Sequence, residues 1–252
     1  MKLLTLARDL KRRKSREKHR LFVAEGVRAV EELLRSPVTI RGALVAPQLL
    51  DAPRGASLAG ALRSRTDVQE VAANEFGSAA ETESPQGVLA IAEVPERSLA
   101  SMPDDWTGVL LVLDAVQDPG NVGTILRTAA ALGAVATIAL PGTVDLWNAK
   151  VVRSGMGAHF RHPAFSSTWT ELEAFRQRSD TALYAADAAG HAISSIASHP
   201  RRIALVVRNE GAGLSAEARA RASLTVALTV NPGAESLNVA VATGILLYLL
   251  NR

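Results

Sequence analysis

Three short polar fragments, each placed after an apolar run, carry the residue types that could do chemistry in this chain. The first is Asn121-Val122-Gly123-Thr124-Ile125-Leu126-Arg127. A Gly/Asn loop opening a helix offers free backbone N–H groups to an anion, and Arg127 follows near two turns on, so this fragment suits a phosphate. The second, Asn209-Glu210-Gly211-Ala212-Gly213-Leu214, follows the apolar run Ile203 to Val207. Its glycines permit close approach of backbone to a ligand. The third, Ser236-Leu237-Asn238, opens the last helix, with Ser236 as the N-cap. Each also has a purely structural reading: Asn121 and Ser236 as caps, Arg127 as a solvated charge, Glu210 as a dipole partner. The first fragment is not a P-loop, because no Gly-Lys-Ser/Thr follows, and no GxGxxG is present for a dinucleotide. A serine hydrolase is disfavoured, since no G-x-S-x-G occurs and no His follows His199. His19, His159, His162, His191 and His199 show no metal spacing, and cysteine is absent, so no metal is expected.

The elements that must position these fragments can be read from the apolar pattern. Val109 to Leu113 is a continuous apolar strand of the kind buried on both faces of a parallel sheet. A helix from about Val122 to Leu132 stops at Gly133. A strand from Val135 to Leu140 ends at Pro141-Gly142, and Asp145 to Arg153 reads as helix. A helix at Thr170 to Arg178, strands at Thr181 to Ala186 and Ile203 to Val207, a short helix to Arg221 and a strand at Leu224 to Val230 follow. The loops after Leu113, Leu140, Val207 and Val230 all lie at strand ends, where open parallel sheets bind ligands, and so predict one composite site. The final helix is apolar on nearly every face, through Leu237, Val239, Val241, Ile245, Leu246, Leu247, Tyr248 and Leu250. Such a helix is expected to be covered by its own domain and by a second subunit. It falls short of the roughly 20 residues a membrane span requires.

The 252 residues accommodate two modest domains. Residues 1–95 alternate short strands and helices as a small α/β domain. Residues 96–106 are polar and Pro-containing and read as a linker; residues 107–252 form the longer α/β domain. Net charge is only +3, yet nine of the first twenty residues are Lys or Arg against two acids. This basic block, with Lys11, Arg12, Arg13, Lys14, Arg16, Lys18 and Arg20, points to a polyanion, nucleic acid ahead of membrane. The lack of cysteine and of a signal peptide fits a cytoplasmic protein.

Taken together and in order, the three fragments resemble the signature motifs of the SpoU (TrmH-type) RNA ribose 2′-O-methyltransferases of the SPOUT superfamily. Lys150-Val151-Val152-Arg153-Ser154-Gly155-Met156-Gly157-Ala158 with Pro163 resembles that family's intermotif signature. The basic block with Phe22-Val23-Ala24-Glu25-Gly26 is similar to the ribosomal-protein-like RNA-binding domain of its rRNA-modifying branch. The resemblance implies an α/β fold with a parallel sheet and a deep C-terminal trefoil knot, a homodimer with its site completed across the interface, S-adenosylmethionine as cofactor and no metal. By position, the cofactor would lie against Leu140, Pro141 and Gly142, against Arg208, Asn209 and Gly211, against Leu228 and Val230, and against Leu237 and Asn238. Arg127 would clamp the substrate phosphate and stabilise developing alkoxide charge, as a guanidinium hardly deprotonates. Asn121 would hold the phosphate or its loop, Glu210 would order the arginine, and Ser236 and Asn238 would position cofactor and ribose. Arg153 joins the basic block as an RNA contact. The chain departs from the family at Arg208, where glycine is common. The implied substrate is RNA, large-subunit rRNA ahead of tRNA. The rival readings are a catalytically dead RNA-binding protein of the same fold and a nucleotide-binding enzyme acting on a small molecule.

Overall fold

The computed structural model describes residues 2–208, 213–231 and 237–251, and its contacts divide the chain into two compact units. The first comprises Met1–Glu96 with Trp147–Arg161, the second Arg97–Leu146 with His162–Arg252.

In the first unit the chain forms α1 (Leu3–Asp9), α2 (Arg13–His19), β1 (Leu21–Glu25), α3 (Val27–Leu34), β2 (Ile40–Val45), α4 (Pro53–Arg63), β3 (Val68–Glu70), α5 (Ala73–Ala79) and β4 (Val88–Glu93). Its sheet runs β1-β4-β2-β3, antiparallel except for the β2–β3 pair. The basic block is thus helical, where the sequence pattern showed only charge. The helical signal in α1 is carried by Leu4, Ala7 and Leu10, which are buried with Phe76, Leu89 and Ile91. Arg16 is buried as well, its Nη1 donating to the carbonyls of Leu10 (2.7 Å) and Lys11 (2.8 Å). It therefore ties the α1–α2 turn.

The second unit begins with β5 (Gly108–Asp114), α6 (Pro119–Ala131) and β6 (Ala136–Ala139). Next comes α7 (Ala149–Ser154), which belongs to the first unit, as do the flanking aromatics: Phe22 packs at a tilt against Trp147 (4.6 Å between centroids) and stacks on Phe160 (5.8 Å). The chain then gives β7 (Ala164–Ser166), α8 (Trp169–Ser179), β8 (Ala182–Ala192), β9 (Arg202–Arg208), α9 (Ala216–Arg221), β10 (Leu224–Ala227) and α10 (Val239–Leu250). The sheet order is β10-β8-β9-β5-β6-β7, and every neighbouring pair is parallel. β5 and β9 are central, which explains their unbroken apolar runs: Val109 to Leu113 and Ile203 to Val207 are all at most 2% exposed. The chain leaves β5 toward β6 and leaves β9 toward β10, in opposite directions. The gap between the ends of β5 and β9 is thus the topological switch point.

Several boundaries differ from the sequence reading. α6 starts at Pro119, because Asp118 caps it and Pro at the first helical position is tolerated there, so Asn121 lies inside the first turn. The helix read at Asp145 to Arg153 is only α7, and β10 ends at Ala227. Four short elements, α1, α2, α5 and β7, were not marked by periodicity.

His162 is buried in the second unit and bonded to Thr137 Oγ1 at 2.8 Å. Burial, helped by the charge of Arg97, pushes its pKa down to about 4. Below about pH 6.5 the unfolded chain takes up a proton that the folded chain refuses until about pH 4. Urea denaturation should therefore show stability falling as pH drops through this window, by up to about 3 kcal/mol, and His162→Gln should flatten that slope.

Candidate active site

The site grows from two helix N-termini in the second unit. In α6, Asp118 Oδ1 accepts the Asn121 N–H (2.7 Å), which seats Asn121 in the first turn. In α10 the cap is Asn238, not Ser236: its Oδ1 accepts from Ala240 N (3.0 Å) and Val241 N (3.4 Å). The other end of the same amide, Nδ2, donates to Asn121 Oδ1 at 3.0 Å. At the far ends, Asn251 Nδ2 donates to the Leu132 carbonyl (2.7 Å). The two helices therefore run parallel, N-terminus beside N-terminus. Gly244 permits this, since a Cβ there would sit 3.1 Å from Thr128 Cγ2.

Beside this junction lies a cavity of about 220 Å³. Its walls come from the ends of β9 and β10 (Val207, Arg208, Val226, Leu228, Val230), from β8 (Asp187) and from α10 with its approach (Leu237, Thr243, Leu246). Apolar side chains dominate. Arg208 Nε is buried with no hydrogen-bond partner among the described residues, as is Asp114 Oδ2 opposite it on β5. The backbone of Arg208 is not in the left-handed region, so arginine carries no strain where a positive φ would have required glycine.

Of the residues singled out from sequence, Arg208, Leu228, Val230 and Leu237 line this cavity, and Asn121 and Asn238 meet beside it. Leu140, Pro141 and Gly142 do not line it. Their loop packs on the loop after β5: Leu140 N and Thr143 Oγ1 both donate to the Leu113 carbonyl, at 2.9 Å each. Gly142 has φ +91, and a Cβ there would lie 3.0 Å from Ala115 Cβ, so the close contact of these loops requires glycine. Arg127 is exposed on α6 and has no hydrogen bond or ion pair among the described residues. Asn209, Glu210, Gly211 and Ser236 lie outside the described residues. Sequence reasoning missed Asp118, whose Asp-Pro pair was a legible cap signal, and Asp187 and Thr243, which no local pattern marks.

In the first unit, Lys14 and Lys18 are exposed on α2, whereas Arg12 pairs with Asp9 (2.6 Å), Arg13 with Glu17 (2.7 Å) and Arg20 with Glu96 (2.6 Å). Lys11 Nζ donates to the Ala80 carbonyl (2.7 Å). Arg153, in the last turn of α7, has a buried Nη1 with no hydrogen-bond partner among the described residues.

Comparison with known proteins agrees with this architecture. The profile of the SpoU rRNA Methylase family matches residues 108–248, and that of an MRM3-like substrate binding domain matches residues 5–90. The chain belongs to the SpoU rRNA methylase family. It is 33% identical over 243 residues, 96% of this chain and 93% of the relative, to the 23S rRNA (guanosine(2553)-2′-O)-methyltransferase RlmP of Bacillus subtilis. Among solved structures it is similar to the SpoU methyltransferase AviRb of Streptomyces viridochromogenes in complex with AdoMet (TM-score 0.89, 27% identity, covering 100% of this chain and 97% of that one). An AdoMet-bound rRNA methyltransferase from Sinorhizobium meliloti is also similar (TM-score 0.86, 28% identity, covering 100% and 94%).

The asparagine junction makes a separable prediction. Asn238→Ala should cost about 1 kcal/mol in urea denaturation through loss of the cap. Asn238→Asp keeps a capping oxygen and should recover most of that stability while losing the donor to Asn121.

Proposed function

We propose that the protein transfers a methyl group from S-adenosylmethionine to a ribose 2′-hydroxyl of RNA, in large-subunit rRNA. The observation that carries this reading is the Asn238–Asn121 hydrogen bond (3.0 Å), which joins the first and third fragments beside the apolar cavity. Two parallel helix N-termini share that mouth and favour an anionic substrate group. The cavity fits the cofactor: apolar walls suit the adenosine, and an orphaned buried guanidinium nitrogen asks for an anionic partner. S-adenosylmethionine supplies a methyl group already activated on a sulfonium, so the protein must align the hydroxyl with it and stabilise the oxygen as charge develops. Arg127 clamps an RNA phosphate and lies close to the developing alkoxide; the hydroxyl proton leaves to that phosphate. Asn121 holds the phosphate, Glu210 orders the arginine, and Ser236 and Asn238 set the ribose and cofactor. None of these steps calls on a metal.

The reading extends to the assembly. Val241, Ile245 and Tyr248 recur at helical spacing on α10 and are 51%, 40% and 48% exposed. This apolar face, next to α6 and its Arg127, is the surface through which two copies pair and complete each other's sites. The C-terminal part of residues 107–252 forms a trefoil knot. Residues 1–95 form the ribosomal-protein-like RNA-binding domain, joined by the 96–106 linker, with Lys14 and Lys18 among its contacts; Arg153, in the Trp147–Arg161 segment of the same unit, is a further one. The enzyme works in the cytoplasm. The similarity to RlmP favours a 23S rRNA guanosine; a tRNA substrate is the second reading.

Mapping ribose methylation in rRNA and tRNA from a deletion strain tests the substrate, and no lost methylation in either would sink the proposal. Arg127→Ala should lower transfer at least a thousandfold with S-adenosylmethionine affinity unchanged in calorimetry; lost cofactor binding instead would refute the role given to Arg127. Ile245→Asp should give a monomer in analytical ultracentrifugation and lose activity.

A further inference from the structure

Between β5 and α6 the chain makes a turn that its residues do not favour. Ala115 has φ +56. That is the left-handed region, which is costly for a residue with a Cβ and persists only where the surroundings hold it. The loop after β6 holds it from three sides. Ahead of the turn, Leu140 N and Thr143 Oγ1 both donate to the Leu113 carbonyl, at 2.9 Å each. Past it, Val144 N donates to the Val116 carbonyl (3.0 Å). Against Ala115 itself lies Gly142, where a Cβ would sit 3.0 Å from Ala115 Cβ. Thr143 is only 7% exposed, and its hydroxyl is the side-chain donor of this clamp, the other donors being backbone groups. One hydrogen bond and one left-handed alanine are comparable in free energy, so loss of the hydroxyl is enough to let the turn relax.

The site follows the turn at once. Asp118, two residues past Val116, caps α6 and seats Asn121, which meets Asn238 beside the cavity. We propose that Thr143 is a positioning residue for methyl transfer: its hydroxyl fixes the left-handed turn at Ala115 and, through it, the place of Asn121 against the substrate phosphate. This rests on the role proposed for Asn121 in RNA ribose methylation. Thr143 does not line the cavity, so it acts through the loop and not on the cofactor.

The test is the single-turnover rate of methyl transfer at saturating rRNA and S-adenosylmethionine, with circular dichroism as the folding control. Thr143→Val keeps the shape and removes the donor, and should lower the rate on the order of ten- to a hundredfold. Thr143→Ala, which also lacks the hydroxyl, should lose as much. Thr143→Ser returns the hydroxyl and should recover most of the rate. Ala115→Gly added to Thr143→Val should recover part of it, because glycine adopts positive φ without the clamp. In an Asn121→Ala background, Thr143→Val should lower the rate no further. An unchanged rate in either folded variant lacking the hydroxyl, no recovery with serine, or an additive loss with Asn121→Ala overturns the role. Full activity of Asn121→Ala removes the part given to Asn121, and that of Thr143 with it. If the wild-type protein transfers no methyl group to rRNA, the proposed function itself falls.

Discussion

The parallel packing of α6 and α10 is the constraint on which the rest of the site depends. Asn238 serves two partners with one amide: its oxygen caps α10 and its nitrogen reaches Asn121 in the first turn of α6. Asn251 repeats the tie at the other end, on the Leu132 carbonyl. Two helices aligned this way set their positive ends side by side, and the Asp118 carboxylate at the start of α6 offsets part of that charge. The bonds at both ends, and the close approach at Gly244, hold that arrangement together.

The sheet supplies the second half of the geometry. Inserting β9 between β5 and β8 sends the connections after β5 and β9 in opposite directions. The loops after β5 and β6 pack on each other through Leu113, Thr143, Ala115 and Gly142, making a solid shoulder. The segments after β9 and β10 instead frame a cavity with α10. The four loops anticipated as one pocket are therefore a shoulder and a cavity, linked where α6 meets α10. The pocket's apolar walls are the continuation of the same β9 and β10 runs that fill the core.

Much of the fold was legible because the central strands are buried on both faces and leave unbroken apolar runs, as in Val109 to Leu113. Charged segments were harder. In α1 and α2 the helical signal rests on a few buried positions among basic residues, and a reading weighted by charge passes over it. Arg16 shows the same blind spot, since nothing in a run of Lys and Arg tells which member turns inward to bind carbonyls. Helix starts were misplaced for a related reason: the Asp118 cap starts α6 at Pro119, ahead of the Val122 read from the apolar pattern, whereas the Asn238 cap starts α10 later than a cap at Ser236 would.

The sequence by itself determined the chemistry on offer: an arginine and asparagines at strand ends, Gly-rich loops, no cysteine, and a basic N-terminal block. It did so because residue types and strand periodicity are local properties. Only the tertiary structure decided that Asn121 meets Asn238 across 117 residues, that Asp114 stands opposite Arg208, and that Trp147–Arg161 packs with the first unit. Those pairings arise from strand order and helix packing, which depend on the whole chain closing around its cores and leave no mark in any one stretch of it.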